Sequence, residues 1–375
     1  MSGLYIHIPF CTKRCAYCGF FSTTYNNMID KYVDTLCLEI KNRKDYIGKD
    51  LLRTIYFGGG TPSLLNKNQL VKIFDSIYSS FNTESIIETT IECNPDDLSP
   101  EYIQMLSSLQ INRISIGIQT FDDKLLSFLG RRHNSNQAIN AVKECKYYGF
   151  SNISIDLMYG LPGQDISMQS EDIKQAIMLD VPHISAYHLS YEDNTPLKMM
   201  KDNKSIMALE EDISVSMFDN ACSSLKRAEY NHYEISNFCR DGFESKHNSG
   251  YWNNTTYLGL GAGAHSYNGF SRQWNPNDIN SYINGIENGS DVSQKEVLSA
   301  TDNYNESIML ALRTSKGIDI EHFKQTFGSQ AVDKILNDTR RYIDSGTLIH
   351  EKDFIRFKEH SLFISDEIIS SLFIV

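Results

Sequence analysis

No apolar run in these 375 residues approaches the ~20 that a membrane helix needs, so an integral membrane protein is not expected. The N-terminus, Met1-Ser2-Gly3-Leu4-Tyr5-Ile6-His7-Ile8-Pro9, has neither the basic n-region nor the long apolar h-region of a signal peptide, and a cytoplasmic location is expected. Positive charge is also scarce. With 35 basic against 47 acidic residues the formal net charge is -12, which argues for solubility and against a nucleic-acid partner. There is no short-period repeat and no low-complexity tract. A disulfide framework is not expected in a reducing compartment. Of the eight cysteines, Cys37, Cys93, Cys145, Cys222 and Cys239 are scattered singly. Cys37 and Cys145 fall on apolar helical stripes and read as small buried hydrophobes.

What is present is a strand-then-helix alternation. Leu4–Pro9, 54–57, 88–92, 113–118, 153–158 and 183–189 are short, apolar or β-branched segments bounded by Gly or Pro. Helical periodicity fills the gaps over 28–46, 136–148, 167–179 and 209–228, and in the steps Leu70, Ile73, Phe74, Ile77 and Tyr102, Met105, Leu106, Leu109. Ser99 and Pro100 read as the N-cap and N1 of the last of these. Six βα units in a row predict an α/β fold with a parallel sheet, either doubly wound or a partial or full (β/α) barrel. Polar and Gly-rich residues gather after the strands, where parallel sheets bind ligands. Turns do not need Glu92, Gln119 or Asp156.

Cys11, Cys15 and Cys18 form a C-x3-C-x2-C motif. Three thiolates bind three irons of a cubane cluster and leave the fourth iron open. A closed zinc site wants a fourth ligand, commonly from a second C-x2-C pair, and the sequence has none.

This motif, with an aromatic before its third cysteine and a first strand before it, resembles the signature of the radical S-adenosylmethionine (SAM) superfamily. The resemblance implies a partial or full parallel (β/α) barrel of radical SAM type with a small, mainly helical C-terminal domain. It also implies a [4Fe–4S] cluster whose open iron is chelated by SAM, and reductive cleavage of SAM to a 5′-deoxyadenosyl radical. Gly58-Gly59-Gly60-Thr61-Pro62 resembles the loop that lies against the SAM amino group. Residue by residue, the family pattern implies SAM contacts at Tyr5, Gly59, Gly60, Thr61, Glu92, Gln119, Arg131 and Asp156, without saying whether one or two SAM molecules bind. On spacing alone Arg131 reads equally as a solvated charge beside Arg132.

The closer resemblance is to the family of oxygen-independent coproporphyrinogen III dehydrogenase and the haem chaperone HemW. It rests on Tyr5–Cys11, Gly58–Ser63, Asn112–Phe121 and Asp156–Gln164. The dehydrogenase carries a long N-terminal extension, whereas this chain enters its first strand by residue 4. It also carries a fourth cysteine where this chain has Phe20. His247-Asn248-Ser249-Gly250-Tyr251-Trp252 matches the H-N-x-x-Y-W motif associated with haem in the chaperone branch. On residues alone His247 reads as a buried or capping side chain and Trp252 as core packing; the resemblance implies a haem ligand.

The expected division is a radical SAM core at 1–235, a connecting region with the H-N-x-x-Y-W motif at 236–300 and a C-terminal domain at 301–375. The expected function is a haem chaperone that passes haem to apo-haem acceptor proteins, which include membrane-bound ones in this reading. A homodimer is left open. The alternative is a coproporphyrinogen dehydrogenase.

Overall fold

Six parallel strands carry the first half of the chain: β1 (Ser2–Ile8), β2 (Leu52–Gly59), β3 (Glu88–Cys93), β4 (Arg113–Gln119), β5 (Asn152–Tyr159) and β6 (His183–His188). The computed structural model describes residues 2–48 and 50–374. These strands are buried along nearly their whole length, as parallel strands covered by helices must be. The covering helices are α1 (Ile29–Asn42), α2 (Lys67–Ser80), α3 (Pro100–Ser107), α4 (Asp123–Leu129), α5 (Ser135–Tyr147), α6 (Ile166–Met178), α7 (Pro196–Asp202) and α8 (Glu211–Arg227). Their starts follow local chemistry. The Asn66 and Asn134 side chains close capping boxes with Gln69 and Gln137, and Ser99 caps α3 ahead of Pro100.

The sheet does not close. Beyond β6 lie β8 (Asn237–Cys239) and β7 (Asn231–Glu234), both in antiparallel pairings. Beyond β1 lie β9 (Thr256–Leu260), which is parallel to it, then β10 (His265–Tyr267), β11 (Ser271–Trp274) and β12 (Gln294–Val297). The result is a partial barrel of twelve strands, with β12 and β7 at its edges. Strands on both sides of residue 235 therefore pair in one sheet. The polar stretch after β11 also contains α10 (Ile279–Glu287), and α9 (Lys246–Trp252) precedes β9.

The C-terminal unit opens with α11 (Ala300–Leu312). It continues through β13 (Ile318–Asp319), α12 (Ile320–Phe327), α13 (Ser329–Asp344), the hairpin of β14 (Leu348–Glu351) and β15 (Phe354–Phe357), a 3-10 helix at Glu359–Ile364, and α14 (Ser365–Ser371). Among the described residues no helix is long and apolar enough to cross a membrane.

One buried carboxylate ties the late strands to the early ones. Glu39 of α1 is fully buried and accepts hydrogen bonds from Gly261 N at 2.8 Å, Asn275 Nδ2 at 2.7 Å and the Tyr282 hydroxyl at 2.7 Å. Arg43 stands 3.4 Å from its other side. Nearby, the Tyr32 hydroxyl donates to His7 O at 2.8 Å and accepts from Ala262 N at 3.0 Å. Glu39→Ala strands several donors without a partner, and unfolding in urea should show a loss of about 3 kcal/mol.

Candidate cluster and cofactor site

The loop after β1 is pinned at both ends. Cys11 N donates to Thr23 O at 2.9 Å and Thr23 N to Pro9 O at 2.6 Å, so the chain returns beside itself. Midway, Ala16 N donates to Leu129 O and Leu197 N to Ala16 O, both at 2.9 Å. Tyr17 packs on a small apolar cluster that includes Leu125, Leu129, Met158, Leu161, Leu189 and Leu197. The loop is thus seated on α4 and α7.

Above it lies a cavity of about 640 Å³. Cys11, Cys15 and Cys18 line it together with Gly59, Gly60, Thr61, Glu92, Gln119, Arg131 and Asp156. Tyr5 is the exception. It borders a neighbouring cavity instead, where its hydroxyl meets His7 Nδ1 at 2.9 Å. Asn94, Tyr187 and His188 also line the first cavity without having been singled out. Their signal is position, since each ends or follows a parallel strand.

The donor set suits an iron–sulfur cubane. The three thiols can take three irons and leave the fourth open. Two of the sulfurs already receive hydrogen bonds: Thr61 Oγ1 donates to Cys11 Sγ at 3.3 Å, and Arg131 Nη1 to Cys15 Sγ at 3.5 Å. Such bonds tune a cluster's potential. Burial raises the Cys11 and Cys18 thiol pKa values.

The surroundings suit a small zwitterion. Asn94 Oδ1 accepts from Arg131 Nη2 at 2.6 Å, which fixes the guanidinium against the cysteine loop. Its Nε is buried and has no partner among the described residues, leaving a cationic donor available to a carboxylate. Glu92 accepts from the Tyr56 hydroxyl at 2.7 Å and Gly59 N at 3.1 Å. Burial, with the Asp156 charge second, pushes its pKa up to about 7. Asp156 is raised as well, again chiefly by burial. Gln119 sits at a break in the β4–β5 register with φ of 75°, a left-handed backbone that costs a non-glycine residue energy and aims it into the cavity.

The glycine run has a steric reason. Gly59 has φ of +112°, and a Cβ there would meet the His7 ring at 2.6 Å. A Cβ on Gly60 would meet Phe10 O at 2.8 Å and the Pro9 carbonyl carbon at 2.9 Å. The gap stays small because Gly60 N donates to Ile8 O at 2.9 Å.

His247 lies on α9, away from this cavity. It is buried, with Nδ1 2.9 Å from Thr54 Oγ1 and Nε2 2.9 Å from the Tyr251 hydroxyl, and its ring stacks on Tyr56 at 5.0 Å. Burial lowers its pKa to about 3. Metal coordination through Nε2 requires the Tyr251 hydroxyl to leave. Tyr251 itself borders an aromatic cavity of about 500 Å³ with Tyr5, Phe21, Tyr257 and Tyr267. Gly19 and Phe20 line this cavity and the cysteine cavity alike. Phe20 is 70% exposed.

A three-cysteine loop at the carboxyl ends of a partial parallel barrel, facing a glycine cradle and a buried arginine, defines a radical SAM protein. The Radical SAM superfamily model matches residues 5–176, and the HemN C-terminal domain model matches residues 298–364. The Heme chaperone HemW of Lactococcus lactis subsp. lactis (strain IL1403) is 39% identical over 328 residues, 87% of this chain and 85% of the relative. That of Bacillus subtilis (strain 168) is 34% identical over 363 residues, 96% of each. The chain belongs to the HemW family. Coproporphyrinogen III oxidase (HemN) from Escherichia coli, a radical SAM enzyme, shares the fold with a TM-score of 0.86 at 20% identity, over 99% of this chain and 89% of that one. Radical SAM membership implies a [4Fe–4S] cluster and SAM.

Gly60→Ala should cost about 2 kcal/mol in urea unfolding, because the new methyl group strikes backbone that cannot yield without moving the cysteine loop.

Proposed function

We propose that this protein is a cytoplasmic haem chaperone, which binds haem and passes it to apo-haem proteins. In this reading it carries a [4Fe–4S] cluster on Cys11, Cys15 and Cys18 and SAM against Tyr5, Gly59, Gly60, Thr61, Glu92, Gln119, Arg131 and Asp156. The observation that carries the proposal is the 39% identity to a Heme chaperone HemW across 87% of the chain. When bound, the cluster and SAM supply one-electron sulfonium chemistry. The chain's own residues do the rest. Thr61 and Arg131 donate to two of the sulfurs, the unpartnered Arg131 Nε would hold a cofactor carboxylate, and Glu92 and Asp156 would take its hydroxyl and cationic groups.

Haem is assigned to the aromatic cavity lined by Tyr251, Tyr257 and Tyr267, where Tyr251 and Tyr257 meet edge to face, so that one ring could stack on a porphyrin and the other border its edge. His247 is assigned as the iron ligand, reached by displacing the Tyr251 hydroxyl. Phe20 lines both cavities, so its apolar ring would stand between a bound haem and the cofactor.

Two measurements test these assignments. Haem titration of the anaerobically reconstituted protein, followed by absorbance, should show at least about tenfold weaker binding in His247→Ala. Tyr251→Phe, which frees Nε2 from a hydrogen bond of about 1 kcal/mol, should bind about fivefold more tightly. Unchanged haem affinity in His247→Ala overturns the ligand role.

The second concerns protons. An acid raised to about 7 is neutral below that pH and ionised above it. Cationic SAM prefers the ionised Glu92, so its affinity should fall about tenfold per unit as the pH drops from 7 towards 5.5. Anaerobic calorimetry should show this slope in the parent and a flat profile in Glu92→Gln; an equal slope in both removes Glu92 from the site.

A further inference from the structure

Away from both cavities, three donors from distant segments converge. Cys222 comes from α8, His232 from β7, and Glu359 from the start of the 3-10 helix in the C-terminal unit. Cys222 Sγ is 3.8 Å from His232 Nδ1, and Glu359 Oε1 is 3.6 Å from the same nitrogen. All three donor atoms lie within 4.8 Å of one another.

The imidazole is held for this task. His232 Nε2 lies 3.3 Å from Ile235 O, and a carbonyl only accepts, so Nε2 carries a proton and in the neutral ring the lone pair is on Nδ1. Phe238 stacks on the ring at 4.1 Å and 13°, which fixes the plane of the imidazole. Metal-bound histidines are oriented in this way, by a backbone acceptor on the far nitrogen. The carboxylate is oriented too: Lys226 Nζ takes Glu359 Oε2 at 2.9 Å and leaves Oε1 facing the ring.

Direct bonding accounts for one contact of the trio, the Cys222 thiol donating to His232 Nδ1, and leaves Glu359 without a good donor on the ring. A separation of 3.6 Å is beyond a good N–H···O hydrogen bond. A tetrahedral zinc ion, with bonds of about 2.3 Å to sulfur and about 2.0 Å to nitrogen and oxygen, sets S···N near about 3.6 Å and N···O near about 3.3 Å. The observed spacings are within a few tenths of these. Thiolate, imidazole and carboxylate are also the donors that zinc accepts, with a fourth position left to water.

We infer that Cys222, His232 and Glu359 form a zinc site, separate from the cluster, that clips the C-terminal unit to the barrel. What it holds in place matters for the cofactor cavity. Phe363, four residues after Glu359, packs edge-on against His188 at 5.3 Å and against Phe218 at 5.7 Å, and His188 lines the cysteine cavity.

The test uses the full-length, cluster-reconstituted protein with zinc chloride as the probe. After desalting, metal analysis should find about one zinc per chain beside the iron, and zinc-edge X-ray absorption should show one sulfur among lighter ligands. Cys222→Ser and Glu359→Gln should each weaken zinc retention at least about tenfold with iron content unchanged. Glu359 is partly exposed, so its variant keeps the test readable if the buried cysteine proves needed for folding. Absence of zinc from the parent protein overturns the site. So does a sulfur-rich zinc edge, which would place the ion on Cys11, Cys15 and Cys18, or equal retention by Glu359→Gln.

Discussion

The close approach of two backbones governs the site. Gly60 N bonds to Ile8 O, and the chain at Pro9 and Phe10 runs so near that no side chain fits between. From this contact follow the height of the cysteine loop above the sheet, the reach of Thr61 to Cys11 and the exposure of the Gly59 backbone towards Glu92. Glycine is required here for two separate reasons: a left-handed φ at 59 and steric contact at 60.

Around this contact the charges are unevenly shared. Three thiols and two buried carboxyl groups share the cavity with the partly buried guanidinium of Arg131 and the exposed cations of Lys13 and Arg14. Burial raises the pKa values of both Glu92 and Asp156, which eases the repulsion between two carboxyl groups in one cavity. Hydrogen bonds donated to Asn94 Oδ1 and Gly117 O hold the Arg131 guanidinium in place. The aromatic cavity is organised differently, by ring contacts and by Arg272, which pairs with Glu306, donates to the Tyr257 hydroxyl and lies over the Tyr267 ring. The two regions meet at Gly19 and Phe20, immediately after the last cysteine.

The first six strands were legible to within about two residues, because each is an apolar run punctuated by Gly or Pro. Strands β7 to β12 were not. They are three to five residues long, too short for a period, and are made by pairing with neighbours distant in sequence. The cavity set was legible from strand ends, with Tyr5 as the instructive departure: a strand residue points to one face or the other, and Tyr5 points to the aromatic cavity. The burial of His247 agrees with what its residues alone suggested, although not with an open ligand position. The trio of Cys222, His232 and Glu359 had no local signature, since helix, strand and 3-10 helix each contribute one donor.

The placement of β1 also bears on how the chain comes into being. β1 is an interior strand, flanked by β2 on one side and by β9, residues 256–260, on the other. At ribosomal speeds of about 5–20 residues per second, its second neighbour emerges on the order of ten to fifty seconds after it. For that interval the strand bearing the cysteine loop presents an unpaired edge, the kind of surface that recruits foreign strands. Glu39 waits as long for Gly261, Asn275 and Tyr282. The nascent chain is thus most vulnerable at the segment from which its metal-binding loop will hang, and completion of the sheet is a late, long-range event in its biogenesis.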